Sequence, residues 1–260
     1  PYYTDDRIHD SHDITGSKTL FKITRENKTY LWEPFSANYR GIYHCRLNIY
    51  KNRLGNKLIF EEINDDLGIS FQYAWLNADP FGFIKKSQII NHNSENVYVE
   101  ILDGIQNLLP SGIDRKFQLE YSTLVDGYKK NELLPEAKLG LYMLSSVPVD
   151  RAEPSESLTT TIAWSAGLNQ ATVLLSSTQL NAFRQGKILV QETDVRAERG
   201  AYFINAQIDL PPNQPGRWYT VIDLNKTQTE VAELSQFILT TEDIETALEK
   251  SIQALSLIHI

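Results

Sequence analysis

A chain of 260 residues, 42% hydrophobic and 22% charged, has enough apolar material for one large core and is too apolar to stay disordered. Its 33 acids against 25 bases give a formal net charge of −8, so nucleic-acid binding and attachment to an anionic membrane are disfavoured while polar neutral ligands stay compatible. The lone Cys45 allows no intrachain disulfide and no cysteine-based metal site, and no apolar run reaches the roughly 20 residues of a membrane span.

Residues 1–17 read as an irregular polar arm. His9 and His12, among Asp5, Asp6, Asp10 and Asp13, are the densest group of metal-ligand types, suited to zinc or manganese. No periodic element there would fix their geometry, so a solvated arm without metal or other cofactor is expected. From Tyr43 to Ile49 the apolar residues are odd (Tyr43, Cys45, Leu47, Ile49) and the polar ones even, the period of a half-buried strand, with Cys45 as a buried, inert thiol. After turn chemistry at 52–56, residues 57–63 form its antiparallel partner. Ile69, Phe71, Tyr73 and Trp75 alternate with Ser70, Gln72 and Ala74 in a further strand. Additional strands are expected over 82–91, 96–102, 138–146, 157–166, 170–176, 187–194, 201–210 and 217–224.

Four segments carry a helical period instead. Ile113, Phe117, Tyr121, Leu124 and Tyr128 recur every three or four residues. Thr178–Gln185 precedes Gly186, a C-terminal glycine. Val231, Leu234 and Ile238 mark a third helix; Thr241 is expected to cap a fourth, whose apolar face is Ile244, Ala247, Leu248, Ile252 and Leu255. The expected organisation is an arm (1–17), a β domain (18–226) and a helical linker (227–260) cut before a missing catalytic domain.

Two polar constellations stand out. Asp103-Gly104-Ile105-Gln106-Asn107 reads as a loop after a strand, where Asp103, Gln106 and Asn107 can hydrogen-bond sugar hydroxyls while Trp75 or Tyr98 stacks on the ring; an Asx-type turn with a left-handed Gly104 is the plain alternative. Asp150, Arg151, Glu153 and Glu156 crowd a proline-containing loop, as substrate ligands or as an ion-pair network with Arg196 or Arg199. His44 and His92 lie in or beside strands. No nucleophile elbow, phosphate-binding loop or dinucleotide fingerprint is present. The 27 aromatic residues suit sugar stacking and core filling equally, and two glycosylation sequons, at Asn27 and Asn225, leave the compartment open between cytoplasm and periplasm for a soluble chain. The start at Pro1 leaves room for a trimmed signal peptide.

The runs Glu61–Trp75, Phe81–Lys85, Asp103–Pro110 and Asp150–Ser157 resemble the N-terminal domain of cellobiose-phosphorylase-like proteins, within the inverting glycoside phosphorylases and hydrolases built on an (α/α)6 barrel. The likeness covers roughly residues 40 to 225. It implies a mainly β fold, a large antiparallel β-supersandwich of galactose mutarotase type with a few short helices and a C-terminal helical linker. It also implies a non-catalytic domain that supports the barrel, shares in homodimer contacts and covers the substrate entrance of an enzyme acting on a sugar or oligosaccharide. No catalytic residue carries over, because the family's general acid lies in the barrel. A stand-alone sugar epimerase using His44 or His92, or a carbohydrate-binding or assembly module, are the alternatives.

Overall fold

The computed structural model describes residues 13–53, 57–113, 122–146 and 157–258. Strands β1 (Gly16–Arg25), β2 (Lys28–Trp32), β3 (Cys45–Lys51), β4 (Leu58–Asn64), β5 (Ile69–Ala78), β6 (Gly82–Asn91) and β7 (Val97–Leu108) come first. Helix α1 (Ser122–Tyr128) leads into β8 (Lys129–Leu134), β9 (Leu139–Leu144), β10 (Thr159–Ala166) and β11 (Thr172–Leu174). Helix α2 (Leu180–Arg184) is followed by β12 (Asp194–Arg196), β13 (Gly200–Leu210) and β14 (Pro215–Thr227), then α3 (Gln228–Thr240) and α4 (Ile244–Ile258).

The expected mainly β fold is present as two antiparallel sheets. One has five strands in the order β11-β13-β7-β1-β2, the other nine in the order β12-β8-β9-β10-β14-β6-β5-β4-β3. Period-2 alternation sends Phe21, Ile101 and Ile204 from the small sheet against Phe71, Ile89 and Trp218 from the large one, and this inter-sheet layer is the main core. The remaining apolar faces need helices. Leu180 and Phe183 of α2 cover Leu102 and Phe203 on the back of the small sheet. Val231 of α3 and Leu248 of α4 cover Ile84, Trp164 and Val221 on the back of the large one.

The turn and cap chemistry follows the residues. Gly186, in left-handed backbone, ends α2: its N–H donates to the Phe183 carbonyl (2.9 Å) and the Lys187 N–H to the Ala182 carbonyl (2.9 Å). Thr227 and Glu230 close a reciprocal capping box at the start of α3. Thr241 does not cap α4 but ends α3; the Asp243 carboxylate takes the Thr246 amide at 3.0 Å instead.

Other expectations change for physical reasons. Residues 103–107 are not a loop but a continuation of β7, paired on both sides by β1 and β13. Gly104 is extended there rather than left-handed; a Cβ at this position would lie 2.0 Å from the Tyr202 carbonyl, so close strand approach demands the glycine. Residues 187–193 do not form a strand: beside a backbone bond from the Glu192 N–H to the Val173 carbonyl, side chains hold the segment, as Glu192 accepts the Leu175 amide and Gln179 both donates to and accepts from Val190. Lys129–Leu134 was not expected and is β8. Of the 113–128 helix, Ser122–Tyr128 falls in the described residues, and there Val125 rather than Leu124 is buried. Leu47 and Ile49 keep the expected period but are exposed, because the nine-stranded sheet overhangs the five-stranded one at its β3 edge.

Replacing Gly104 with alanine forces the added methyl onto the Tyr202 carbonyl, and we expect a loss of about 3 kcal/mol in urea unfolding. An unchanged midpoint would show that β7 and β13 can separate freely at this point.

Candidate functional site

Across β5, β6 and β14 the register stacks three rungs on the outer face of the large sheet. Gln72, Gln88 and Arg217 form the first, Ala74, Lys86 and Tyr219 the second, and Leu76, Ile84 and Val221 the third. The apolar rung is where α4 docks through Leu248. Gln72, Gln88, Arg217, Ala74 and Lys86 of the two polar rungs stay open beside the helix and, with Ile59, Asn77 and α4 residues Glu249, Ile252 and Gln253, line a groove of about 550 Å³.

Glu249 is the pivot of the groove. It pairs with the Lys86 ammonium and accepts the Tyr219 hydroxyl at 2.6 Å. Burial alone would push its carboxyl up, but the hydrogen bonds and charge of Lys86 and Tyr219 prevail and hold it below the ordinary glutamate range. Burial, reinforced by Glu249, raises Tyr219, so its hydroxyl stays a proton donor at neutral pH. The Arg217 Nε donates to Gln88 at 2.8 Å, fixing the amide in the plane of the first rung. Among the described lining residues, Lys57, Lys86 and Arg217 stand against one carboxylate. The arrangement offers fixed donors and acceptors on an apolar floor, which suits a polyhydroxylated ligand.

The residues singled out in the sequence lie elsewhere. Asp103 has no accessible surface and faces the inter-sheet core, where its carboxylate accepts from Thr19 (2.6 Å), Lys85 (2.6 Å), Ser87 (3.2 Å) and Trp218 (2.6 Å). Burial holds the Lys85 ammonium below its ordinary range despite that partner. Trp75 stands on the same inner face, opposite Lys85 in the β5–β6 register, so these two singled-out residues share a layer. Gln106 points to the opposite side of β7, donating to the Asp13 carbonyl and the Ser177 hydroxyl. Asn107 takes left-handed backbone (φ 56°) at a bulge where Gly200 and Ala201 face Leu108 and Gln106. Asp150, Arg151, Glu153 and Glu156, like His9 and His12, lie outside the described residues.

His44 is exposed beside Asp65, and His92 shares a hydrogen bond with Ser70 at 2.8 Å; neither lines the groove. Cys45 is half-buried, and burial with the nearby Glu62 pushes its thiol up to about 12, so it stays protonated at neutral pH. Among the described residues no group of three metal-ligating side chains converges. No described helix is long and apolar enough to cross a membrane. Sequence reasoning missed Gln88, Lys86 and Arg217, although they are the polar members of alternating strands. Glu249 lies 163 residues from Lys86, a pairing that no local pattern announces.

No family model and no curated protein matches the chain. Solved structures that align with the chain include the polysaccharide lyase BACCELL_00875 (9% identity, TM-score 0.43), over 80% of this chain and 25% of its own. A candidate kojibiose phosphorylase from the human microbiome (10%, TM-score 0.37) aligns over 84% of this chain and 24% of its own. The Slr1438 protein of Synechocystis sp. PCC 6803 (8%, TM-score 0.42) aligns over 86% of this chain and 83% of its own. The chain thus spans about a quarter of the first two, and at such identities no residue role passes across.

Because the Glu249 carboxyl is depressed, its contribution to α4 docking is present above the ordinary value of 4.5 and lost as pH falls through the folded-state value. Glu249→Gln should therefore destabilise the chain by about 0.5–1 kcal/mol at neutral pH and by less in acid, as the carboxyl takes up its proton, in paired urea titrations. A gap of equal size at neutral and acid pH contradicts the ion-pair account.

Proposed function

We propose that this chain is a non-catalytic domain of a carbohydrate-active enzyme of glycoside phosphorylase or hydrolase type. Residues 18–226 form its galactose mutarotase-like β-supersandwich, and residues 227–260 its helical linker to an (α/α)6 barrel that performs the chemistry. In this reading the groove of Gln88, Arg217 and Lys86 holds part of a sugar or oligosaccharide near the substrate entrance.

The observation that carries the reading is the state of the groove's carboxylate. Glycoside cleavage needs two carboxyl groups, one of them protonated or free to attack, at a set separation. Glu249, the carboxylate that lines the groove, is instead ion-paired and held ionised, and Asp103 is enclosed in the core by four donors. The lining of the groove thus offers hydrogen-bonding capacity around one ion-paired carboxylate, which supports recognition over turnover. The placement of His44 and His92 away from the groove weighs against an epimerase.

Calorimetric titration with neutral gluco- and galacto-oligosaccharides tests the proposal. Gln88→Ala and Arg217→Ala should each weaken binding at least about fivefold, the loss of roughly one hydrogen bond. The chain alone should release no sugar from aryl glycosides and none from disaccharide plus phosphate. Turnover, or variants that bind as tightly as the parent, would sink it.

A further inference from the structure

The nine-stranded sheet ends at β3, which among the described residues is paired on one side only. The other sheet margins are shorter: β12 and β11 have three residues each and β2 has five, against seven in β3. A long open edge is a template for another strand unless charge or a bulge blunts it. The β3–β4 register has no bulge, and the middle of β3 carries no charge. Its inner-face residues Leu47 and Ile49 are 60% and 70% exposed, and its two cations, Arg46 and Lys51, sit near its ends.

The backbone specifies what the edge can accept. The Asn52 N–H donates to the Lys57 carbonyl and the Asp65 N–H to the His44 carbonyl. Both belong to the same register that pairs Cys45 with Asn64 and Lys51 with Leu58. The even residues of β3 therefore spend their amides and carbonyls on β4, and the odd ones, Cys45, Leu47, Ile49 and Lys51, aim theirs outward.

We propose that β3 pairs antiparallel with β3 of a second copy of this chain, about a two-fold axis through Asn48. That register sets Leu47 against Ile49 of the other copy and Cys45 against Lys51, each in the frame that exchanges two hydrogen bonds, about eight in all. The exposed apolar pair of each overhang becomes a continuous four-residue strip on the inner face. Arg46 meets Tyr50 rather than another arginine, and Tyr50 already hydrogen-bonds Glu61 at 2.8 Å, so no like charges oppose. The two sheets merge into one of eighteen strands.

The register gives a position-specific test. Asn48 faces its own copy across a non-hydrogen-bonded site with Cα atoms about 4.5 Å apart, within disulfide range. Leu47 faces its own copy only diagonally, at about 8 Å. In a Cys45→Ser background, Asn48→Cys should form an intermolecular disulfide on mild oxidation and Leu47→Cys should not. Between about 1 and 100 µM, sedimentation of the unmodified 260-residue chain should shift from its 29.7 kDa monomer toward twice that mass, and Leu47→Lys/Ile49→Lys should abolish the shift. Far-ultraviolet circular dichroism of the double-lysine variant checks that it remains folded. A chain that stays monomeric over the whole range, a dimer that survives both lysines, or crosslinking at 47 as efficient as at 48 overturns the proposal.

Discussion

A fully buried carboxylate at the centre of the sandwich ties the two layers to each other. Asp103 stands on the central strand of the small sheet, and three of its four donors, Lys85, Ser87 and Trp218, come from β6 and β14 of the large one. Thr19 supplies the fourth from the neighbouring strand β1. Taking a carboxylate and an ammonium fully out of water costs several kcal/mol per ion, which their attraction offsets only when every lone pair is answered. Because that condition is met in one lateral placement of the sheets, the network selects a register that the surrounding Phe21, Phe71 and Trp218 rings, packed at 5.1–6.4 Å, would not select alone. Apolar contact supplies the bulk of the adhesion, and the polar network supplies its address.

The same constraint positions the groove. Lys85 and Lys86 are adjacent, so the pleat sends one inward to Asp103 and the next outward to Glu249. Trp218 and Tyr219 repeat this on β14, inward to Asp103 and outward to Glu249. A slip of one residue in either strand would exchange these roles and break the core network and the docking of α4 together. The outer polar rungs are thus held by the same register as the core beneath them, an arrangement that sets their donors and acceptors in place before a ligand arrives.

Much of the architecture was legible in the residues. The alternation of Ile69, Phe71, Tyr73 and Trp75, the run over 82–91 and the glycine after α2 all reported elements that exist, because in each the local pattern and the tertiary environment agree. The failures occur where they disagree. Asp103 and Gly104 look like loop residues because a charge and a glycine are rare in a central strand; here the charge has partners 18 and 115 residues away and the glycine answers a carbonyl on β13. Leu47 and Ile49 carried a buried pattern on a strand whose covering sheet stops short. The groove residues were invisible for a different reason: glutamine, lysine and arginine on alternate strand positions are what any solvated face contains, and only the β5–β6–β14 register brings them onto adjacent rungs.

Urea unfolding of Asp103→Ala beside Lys85→Met/Asp103→Leu tests most directly whether the inter-sheet charge fixes the fold. Stranding Lys85, Ser87 and Trp218 without an acceptor should cost about 3–5 kcal/mol in the single variant. The double variant should regain at least about 1 kcal/mol of that, since no uncompensated charge remains. An Asp103→Ala chain within about 0.5 kcal/mol of the parent would contradict the account, since the sheets would then keep their placement without this charge.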